Sequence, residues 1–302
     1  MRGVLHVVIG LGLLMVVGLP ALPARAHASM LCFPDVPSIE SCISDRFLDF
    51  WWENGGLPVF GYPLTPVFQQ QTPEGTFEVQ YFERQRFEYH PEQAPPFDVQ
   101  LGRLGDELLR KQGRAWPDEP VQPSVPPGCE RFVITRQVVC PPFLSYWYAH
   151  GLASLRGHTR FGKALHLWGL PLTQPRQERN PDGDQVETQW FERARYEYHP
   201  ALPPQHRILL GRLGAEALNG VAATIGGSLH SYDPAARVIR IASARDSSIT
   251  TVYYDTATVI RCSDDGSLPA DIFTRPNLKL SASGRFGFPF GLRAESITIL
   301  CR

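Results

Sequence analysis

The chain has 302 residues, of which 28 are Pro and 26 Gly, about 18% together, with a hydrophobic fraction of 43% and a formal net charge of −1. That apolar fraction is enough for a core, so a wholly disordered chain is excluded, and the near-neutral charge excludes a generally basic nucleic-acid binder. The Pro and Gly content, against a usual level of about 12%, argues against long helices and for a loop-rich, mainly β protein with short helices.

In chain order, Arg2 precedes a nearly unbroken apolar run from Val4 to Leu19, and two small-x-small sites follow, Ala24-Arg25-Ala26 and Ala26-His27-Ala28. This is the pattern of a secretory signal peptide over residues 1–28, cleaved after Ala28. The alternative, a retained anchor, is disfavoured because about 16 apolar residues fall short of the roughly 20 needed to span a bilayer. Cleavage removes two Arg and leaves 27 basic and 30 acidic residues, a net charge of −3. No second stretch is long and apolar enough to span a membrane.

Export makes six cysteines informative: Cys32, Cys42, Cys129, Cys140, Cys262 and Cys301. Six allow 15 pairings. Order and spacing point to Cys32–Cys42, Cys129–Cys140 and Cys262–Cys301, because the first two pairs each stand just ahead of the same aromatic motif. A metal site would need clustered Cys with His partners, which is absent, so neither metal nor cofactor is expected.

An internal repeat organises residues 29–219. Gln80-Tyr81-Phe82-Glu83-Arg84-Gln85-Arg86-Phe87-Glu88-Tyr89-His90-Pro91 returns 109 residues later, from Gln189 to Pro200, with nine of twelve positions identical. Leu101-Gly102-Arg103-Leu104-Gly105 returns as Leu210-Gly211-Arg212-Leu213-Gly214, and Phe47-Leu48-Asp49-Phe50-Trp51 as Phe143-Leu144-Ser145-Tyr146-Trp147. The second copy carries about twelve extra residues near 152–163. We divide the chain into module 1 (29–113), a Pro-rich linker (114–128), module 2 (129–219) and a C-terminal β part (220–302). In module 1, Ser44 or Asp45 caps a short helix through Trp52, with Phe47, Phe50 and Trp51 on one face. Gly55-Gly56 ends it, Pro58 and Gly61-Tyr62-Pro63 make a tight loop, and 77–89 is a strand or a hairpin bent near 84–86. An extended segment from Leu101 turns helical after Gly105. The prolines at 117, 120, 123, 126 and 127 predict a semi-rigid linker.

The run Trp-x-x-x-Gly-Gly, then Phe60-Gly61-Tyr62-Pro63, then an aromatic β segment, resembles the Leu-Gly-Phe-Pro repeats of secreted bacterial envelope proteins. It is closer to the variant carrying Phe-Glu-Arg-x-Arg-x-Glu-Tyr-His-Pro and Leu-Gly-Arg-Leu-Gly. The resemblance covers about 180 residues and implies non-catalytic modules that attach or organise proteins at the cell wall. The second copy departs from it at Gly151-Leu152 and at Trp168-Gly169-Leu170-Pro171.

From Gly220 the texture changes to Val, Ile, Thr and Ser. Six strands are expected, over 224–231, 237–243, 249–254, 258–262, 278–283 and 293–300, with Gly226-Gly227-Ser228 at a strand start. Short strands at about ten-residue spacing predict a small all-β barrel or sandwich, stapled by Cys262–Cys301. The layout resembles small OB-like barrels attached to exported proteins. OB folds bind nucleic acid or sugars, but nine basic against seven acidic residues in this part make a poor case for nucleic acid.

Candidate chemistry is sparse. Glu88 with His90, and Glu197 with His199, share a strand face and could bind a metal together or form carboxylate–imidazole pairs. Their presence in both copies favours a structural cross-strand network with Arg84 and Arg86 or their equivalents. Asp182-Gly183-Asp184 lacks the spacing of a calcium loop and reads as a turn. Phe47, Phe50 and Trp51 belong to the core, whereas Trp52 and Tyr62 fall off that stripe and are the better candidates for an exposed, sugar-stacking surface. The expectation is a secreted, non-enzymatic envelope protein that binds wall glycan or another surface protein. The alternatives are a wall-polymer hydrolase using the Glu88/His90 pairs and a structural spacer. The sequence leaves the oligomeric state open.

Overall fold

The computed structural model describes residues 30–264, 267–287 and 290–301. The signal segment 1–28 lies outside the described residues. The fold is mainly β with short helices, arranged in several sheets.

The Cys32–Cys42 disulfide closes a loop whose ends pair as β1 (Met30–Leu31) and β2 (Ile43–Ser44). Helix α1 (Asp45–Glu53) follows, and its aromatic stripe turns inward: Phe47, Leu48, Phe50 and Trp51 are buried. Asn54 ends the helix, its N–H and its Nδ2 both donating to the Phe50 carbonyl, at 3.1 and 2.8 Å. The loop expected around Pro58 is instead a second short helix, α2 (Gly56–Phe60). The physical reason is position. Gly55 in the left-handed region turns the chain, and Pro58 falls in the first helical turn, where a missing N–H costs nothing. An antiparallel meander follows: β3 (Phe68–Thr72), β4 (Gly75–Tyr81), β5 (Arg86–Tyr89) and β6 (Val99–Leu101). The 77–89 segment is thus the hairpin form, closed where Phe82 N–H donates to Gln85 O at 2.8 Å. Helix α3 (Leu104–Lys111) completes this half.

The same order of elements recurs: β7 (Glu130–Arg131), β8 (Val138–Val139), α4 (Phe143–Ala149), α5 (Arg160–Trp168), the meander β9 (Arg176–Arg179), β10 (Gln185–Trp190), β11 (Arg195–Tyr198) and β12 (Ile208–Leu210), then α6 (Leu213–Leu218). The Cys129–Cys140 disulfide stands before α4 as Cys32–Cys42 stands before α1. The extra residues of the second half lengthen the α4–α5 connection. Between the halves, Arg114 donates to Glu119 and Glu178, at 2.6 and 3.1 Å, tying the Pro-rich segment to β9.

Each repeated motif has the same mechanical task in both halves. Trp51 Nε1 donates to Gly61 O at 3.2 Å, and Trp147 Nε1 to Gly169 O at 3.3 Å. The carboxylates of Glu83 and Glu192 accept the N–H groups of Tyr62 and Leu170, both at 3.1 Å. Gln80 and Gln189 each donate to two carbonyls, one of which belongs to Thr65 or Thr173. Phe-Gly-Tyr-Pro and Trp-Gly-Leu-Pro therefore form one loop geometry with different half-buried side chains, Tyr62 and Leu170.

The remaining strands are β13 (Ala222–Asp233), β14 (Val238–Ala242), β15 (Ile249–Tyr253), β16 (Val259–Cys262), β17 (Lys279–Gly287) and β18 (Gly291–Ile299). Antiparallel pairing runs β15-β14-β13-β17-β18, and Val252 and Tyr253 of β15 pair in parallel with Leu292 and Arg293 of β18. β16 also lies parallel to β18, and the Cys262–Cys301 disulfide joins it to the chain just past β18. All six expected strands are present. Gly226-Gly227-Ser228, however, lies inside β13 rather than at its start. There β13 passes from pairing with β17 to pairing with β14, and a Cβ on Gly227 would stand 2.1 Å from Ala242 O. Glycine permits that close approach within a strand.

One apolar core runs through Phe68, Tyr81 and Leu108 of the first half, Trp190 and Leu213 of the second, and Ile239 and Ile297 of the β part. A second joins the helical faces of both halves through Phe50, Phe87, Trp147, Trp168 and Tyr196. Among the described residues, no helix is long and apolar enough to cross a membrane.

Candidate functional site

Glu88 and His90 sit at the end of β5 and are 5% and 8% exposed. Glu88 Oε1 accepts from Arg86 Nε and Nη2, at 2.8 and 2.5 Å. The buried Arg86 guanidinium also reaches Glu107 of α3 at 2.8 and 3.1 Å and Tyr81 Oη at 3.3 Å. Burial lowers the Arg86 pKa, but Tyr81, Glu107 and Glu88 more than offset it, so the guanidinium is held more firmly protonated than usual. His90 Nε2 lies 3.7 Å from Glu88 Oε2, and Phe77 covers the imidazole with ring centroids 4.2 Å apart. The second half repeats this clamp. Arg195 bridges Glu197 at 2.8 Å and Glu216 of α6 at 2.8 and 2.9 Å, and His199 Nε2 is 3.5 Å from Glu197.

The arginine partners expected for these pairs are thus Arg86 and Arg195. Arg84 instead donates to Leu57 O at 3.2 Å. Chemically the clamp fastens a strand to a helix. One oxygen of Glu88 and of Glu197, and both of Glu107 and Glu216, accept from guanidinium donors, an arrangement that suits rigidity rather than proton transfer. Glu197 and His199 do border a cavity of about 410 Å3 on the second half, where Asp182 pairs with Arg212 at 2.9 Å.

Several phenols are shifted by full or partial burial. Burial pushes Tyr146 and Tyr148 up to about 12, with Glu130 adding to the effect at Tyr148. Burial, then the Tyr232 hydroxyl, does the same to Tyr254, and burial raises Tyr81 and Tyr196. The neutral phenol is the form favoured by folding. This contribution is therefore complete below pH about 10 and is lost as pH rises toward 12. Absorbance titration at 295 nm should show Tyr146, Tyr148, Tyr196 and Tyr254, four of the ten tyrosines, ionising only above pH 11, together with alkaline unfolding. Full ionisation by pH 10.5 in the folded chain would contradict it.

Trp52 is 62% exposed, its ring centroid 6.1 Å from that of Trp51. Tyr62 is half-buried, with Phe33 edge-on at 5.0 Å. These rings form one broken aromatic ridge beside the first disulfide loop.

The feature that sequence reasoning missed is a cleft of about 390 Å3 between that disulfide loop and the β part. Ser38, Glu40 and Ser41 line one wall, and Thr250, Thr251 and Tyr253 of β15 line the other. The walls are held together by backbone contacts: Ile249 N–H donates to Glu40 O at 2.8 Å, and Cys42 N–H to Ser248 Oγ at 2.8 Å. The Glu40 carboxylate accepts from Thr251 Oγ1 at 3.0 Å and pairs with Arg240. Thr250 is 5% exposed, and its buried Oγ1 has no hydrogen-bond partner. The Tyr253 ring lies against Gly291, where a Cβ would come within 2.6 Å of it, and Arg293 sits over the ring at 5.6 Å. The volume falls within the range of small-ligand sites, and position between packed units is where such sites concentrate. The only sequence hint was the hydroxyl-rich run Ser247-Ser248-Ile249-Thr250-Thr251 in an expected strand. Among the described residues, no cluster of His, Cys, Asp and Glu is arranged to hold a metal ion.

A scan against protein-family models, a search of curated proteins and a search of solved structures each return no match to this chain.

Proposed function

We propose that the chain is an exported, non-catalytic binding protein of a bacterial cell envelope. Its ligand is a short stretch of wall glycan that enters the cleft between the disulfide loop and β15. The observation that carries this reading is the pairing, in one cleft, of an aromatic face, Tyr253, with the hydroxyl and carboxylate groups of Ser38, Ser41, Thr251 and Glu40. A sugar offers the complement: a flat C–H face for the ring and hydroxyls for Ser38, Ser41, Thr251 and Glu40. Three disulfides, including the two local pairs, are compatible with an oxidising, extracellular setting. The recurrence of the same contacts in both halves supports duplication of a wall-associated module akin to Leu-Gly-Phe-Pro repeats. The pairing circuit through β15 and β18 supports an OB-like β part. A hydrolase using Glu88 would need a carboxylate free to exchange protons, whereas Arg86 holds this one.

The test is binding of the chain lacking residues 1–28 to purified wall fractions and soluble wall oligosaccharides, read by calorimetry. Tyr253→Ala and Thr251→Val should each weaken binding about tenfold with the fold intact. Trp52→Ala should leave it unchanged. Retention on no wall fraction would end this reading. Loss on Trp52→Ala alone would move the ligand from the cleft to the aromatic ridge.

A further inference from the structure

The two disulfide loops differ in what they face. The first is docked against β15, as described above. The second, Cys129 to Cys140, ends in a bare hairpin tip where Val133 and Ile134 are 85% and 72% exposed. The tip is rigid. Phe132 N–H donates to Gln137 O at 2.9 Å and Arg136 N–H to Phe132 O at 2.7 Å, with β7 paired to β8 beneath. Phe132 is buried under the tip and stacks on Phe161, itself 39% exposed, at 6.0 Å.

Charge is distributed with the same asymmetry. From Arg131 to Gln177 there is no Asp or Glu, while Arg131, Arg136, Arg156, Arg160, Lys163 and Arg176 are basic. The corresponding stretch of the first half, 33–69, has five acids and one Arg. Among the described residues, Arg131, Arg136, Arg156, Arg160 and Lys163 make no ion pair. Arg131 and Arg160 donate instead to backbone carbonyls, at 2.8 to 2.9 Å. Arg136, Arg156 and Arg160 are exposed.

We infer that this face of the second half is a docking surface for a bilayer of anionic phospholipid. Val133 and Ile134 enter the interface, and Arg136 and Arg160 meet headgroup phosphates. A soluble polyanion would use the arginines but would gain nothing from two aliphatic side chains held out on a disulfide-pinned tip. A bilayer surface uses both, through apolar burial and electrostatic attraction. No membrane span is required.

Vesicle flotation of the chain lacking residues 1–28 tests this, since both cores lie within the remaining residues. The chain should float with vesicles of phosphatidylcholine plus phosphatidylglycerol, should not float with phosphatidylcholine alone, and should be released by high salt. Val133→Ser/Ile134→Ser should weaken binding at least about tenfold. Arg136→Gln/Arg160→Gln should weaken it about 20- to 30-fold. All four positions are at the surface, and unchanged circular dichroism confirms that the variants fold. Failure to float with anionic vesicles would overturn the inference. So would wild-type flotation of the Val133→Ser/Ile134→Ser variant, and tight binding to soluble polyphosphate in that variant would reassign the face to a polyanion.

Discussion

Arg86→Ala is expected to destabilise the chain by about 3–5 kcal/mol, seen as a lower urea midpoint at unchanged m-value. Arg86 is 1% exposed and, among the described residues, is the only cation touching both Glu88 on β5 and Glu107 on α3. Removing it leaves one carboxylate fully buried and a second partly so, each stripped of its donors. The cost is that of the uncompensated acids rather than the worth of the pairs, which a rescue separates. Arg86→Met combined with Glu88→Gln and Glu107→Gln should recover most of the loss, because a buried ionic cluster is worth little more than a well-packed neutral one. Arg86→Lys should fall between, since one ammonium cannot replace a fork bonded to two carboxylates. A loss below about 1 kcal/mol for Arg86→Ala would mean that water reaches the clamp and that it does not fasten β5 to α3.

How far the sequence carries can be followed through these residues. The inward stripe Phe47, Phe50 and Trp51 and the exposure of Trp52 follow from helical spacing alone. So do the disulfide pairs from their order, and the six strands of the β part from β-branched runs. Local rules misread α2, because Pro58 signals a loop unless one knows that a helix starts two residues earlier. They also misread Gly226-Gly227, because the approach of Ala242 O is set by a strand not yet placed. For the site the division is sharper. Glu88 and Glu197 are legible as parts of a structural network, since an i, i+2 arginine neighbour lies beside each on the same strand face. Their helix partners Glu107 and Glu216 are not, because nothing local says which face of α3 or α6 returns to the sheet. Of the cleft, only the hydroxyl-rich run at the start of β15 was legible. Glu40 and Thr251 come together across 211 positions, and neither carries a motif.

The other large effect is expected at Gly105 and Gly214, the last glycines of the two Leu-Gly-Arg-Leu-Gly runs. A Cβ on Gly105 would stand 1.9 Å from Phe191 O, and one on Gly214 would stand 1.9 Å from Phe82 O. The neighbouring N–H groups donate across the same contacts, Gly105 to Glu192 O at 2.9 Å and Ala215 to Glu83 O at 3.1 Å. The two halves therefore meet as a self-complementary pair, in which the helix start of each is pressed against the Phe-Glu-Arg turn of the other. In this setting the glycine supplies space for backbone to touch backbone, and no side-chain rotamer can relieve the overlap. Gly105→Ala and Gly214→Ala should each cost about 3 kcal/mol, a fall in Tm of roughly 6–12 °C by calorimetry. Because both lesions open one interface, the double variant should cost clearly less than the two losses combined. Gly226→Ala is the control: the nearest heavy atom to its Cβ would be 3.8 Å away, so it should be neutral or slightly stabilising. If Gly105→Ala behaves like that control, the halves do not meet through these turns. The repeated glycine would then need another explanation, since within its own half each glycine meets no comparable obstacle.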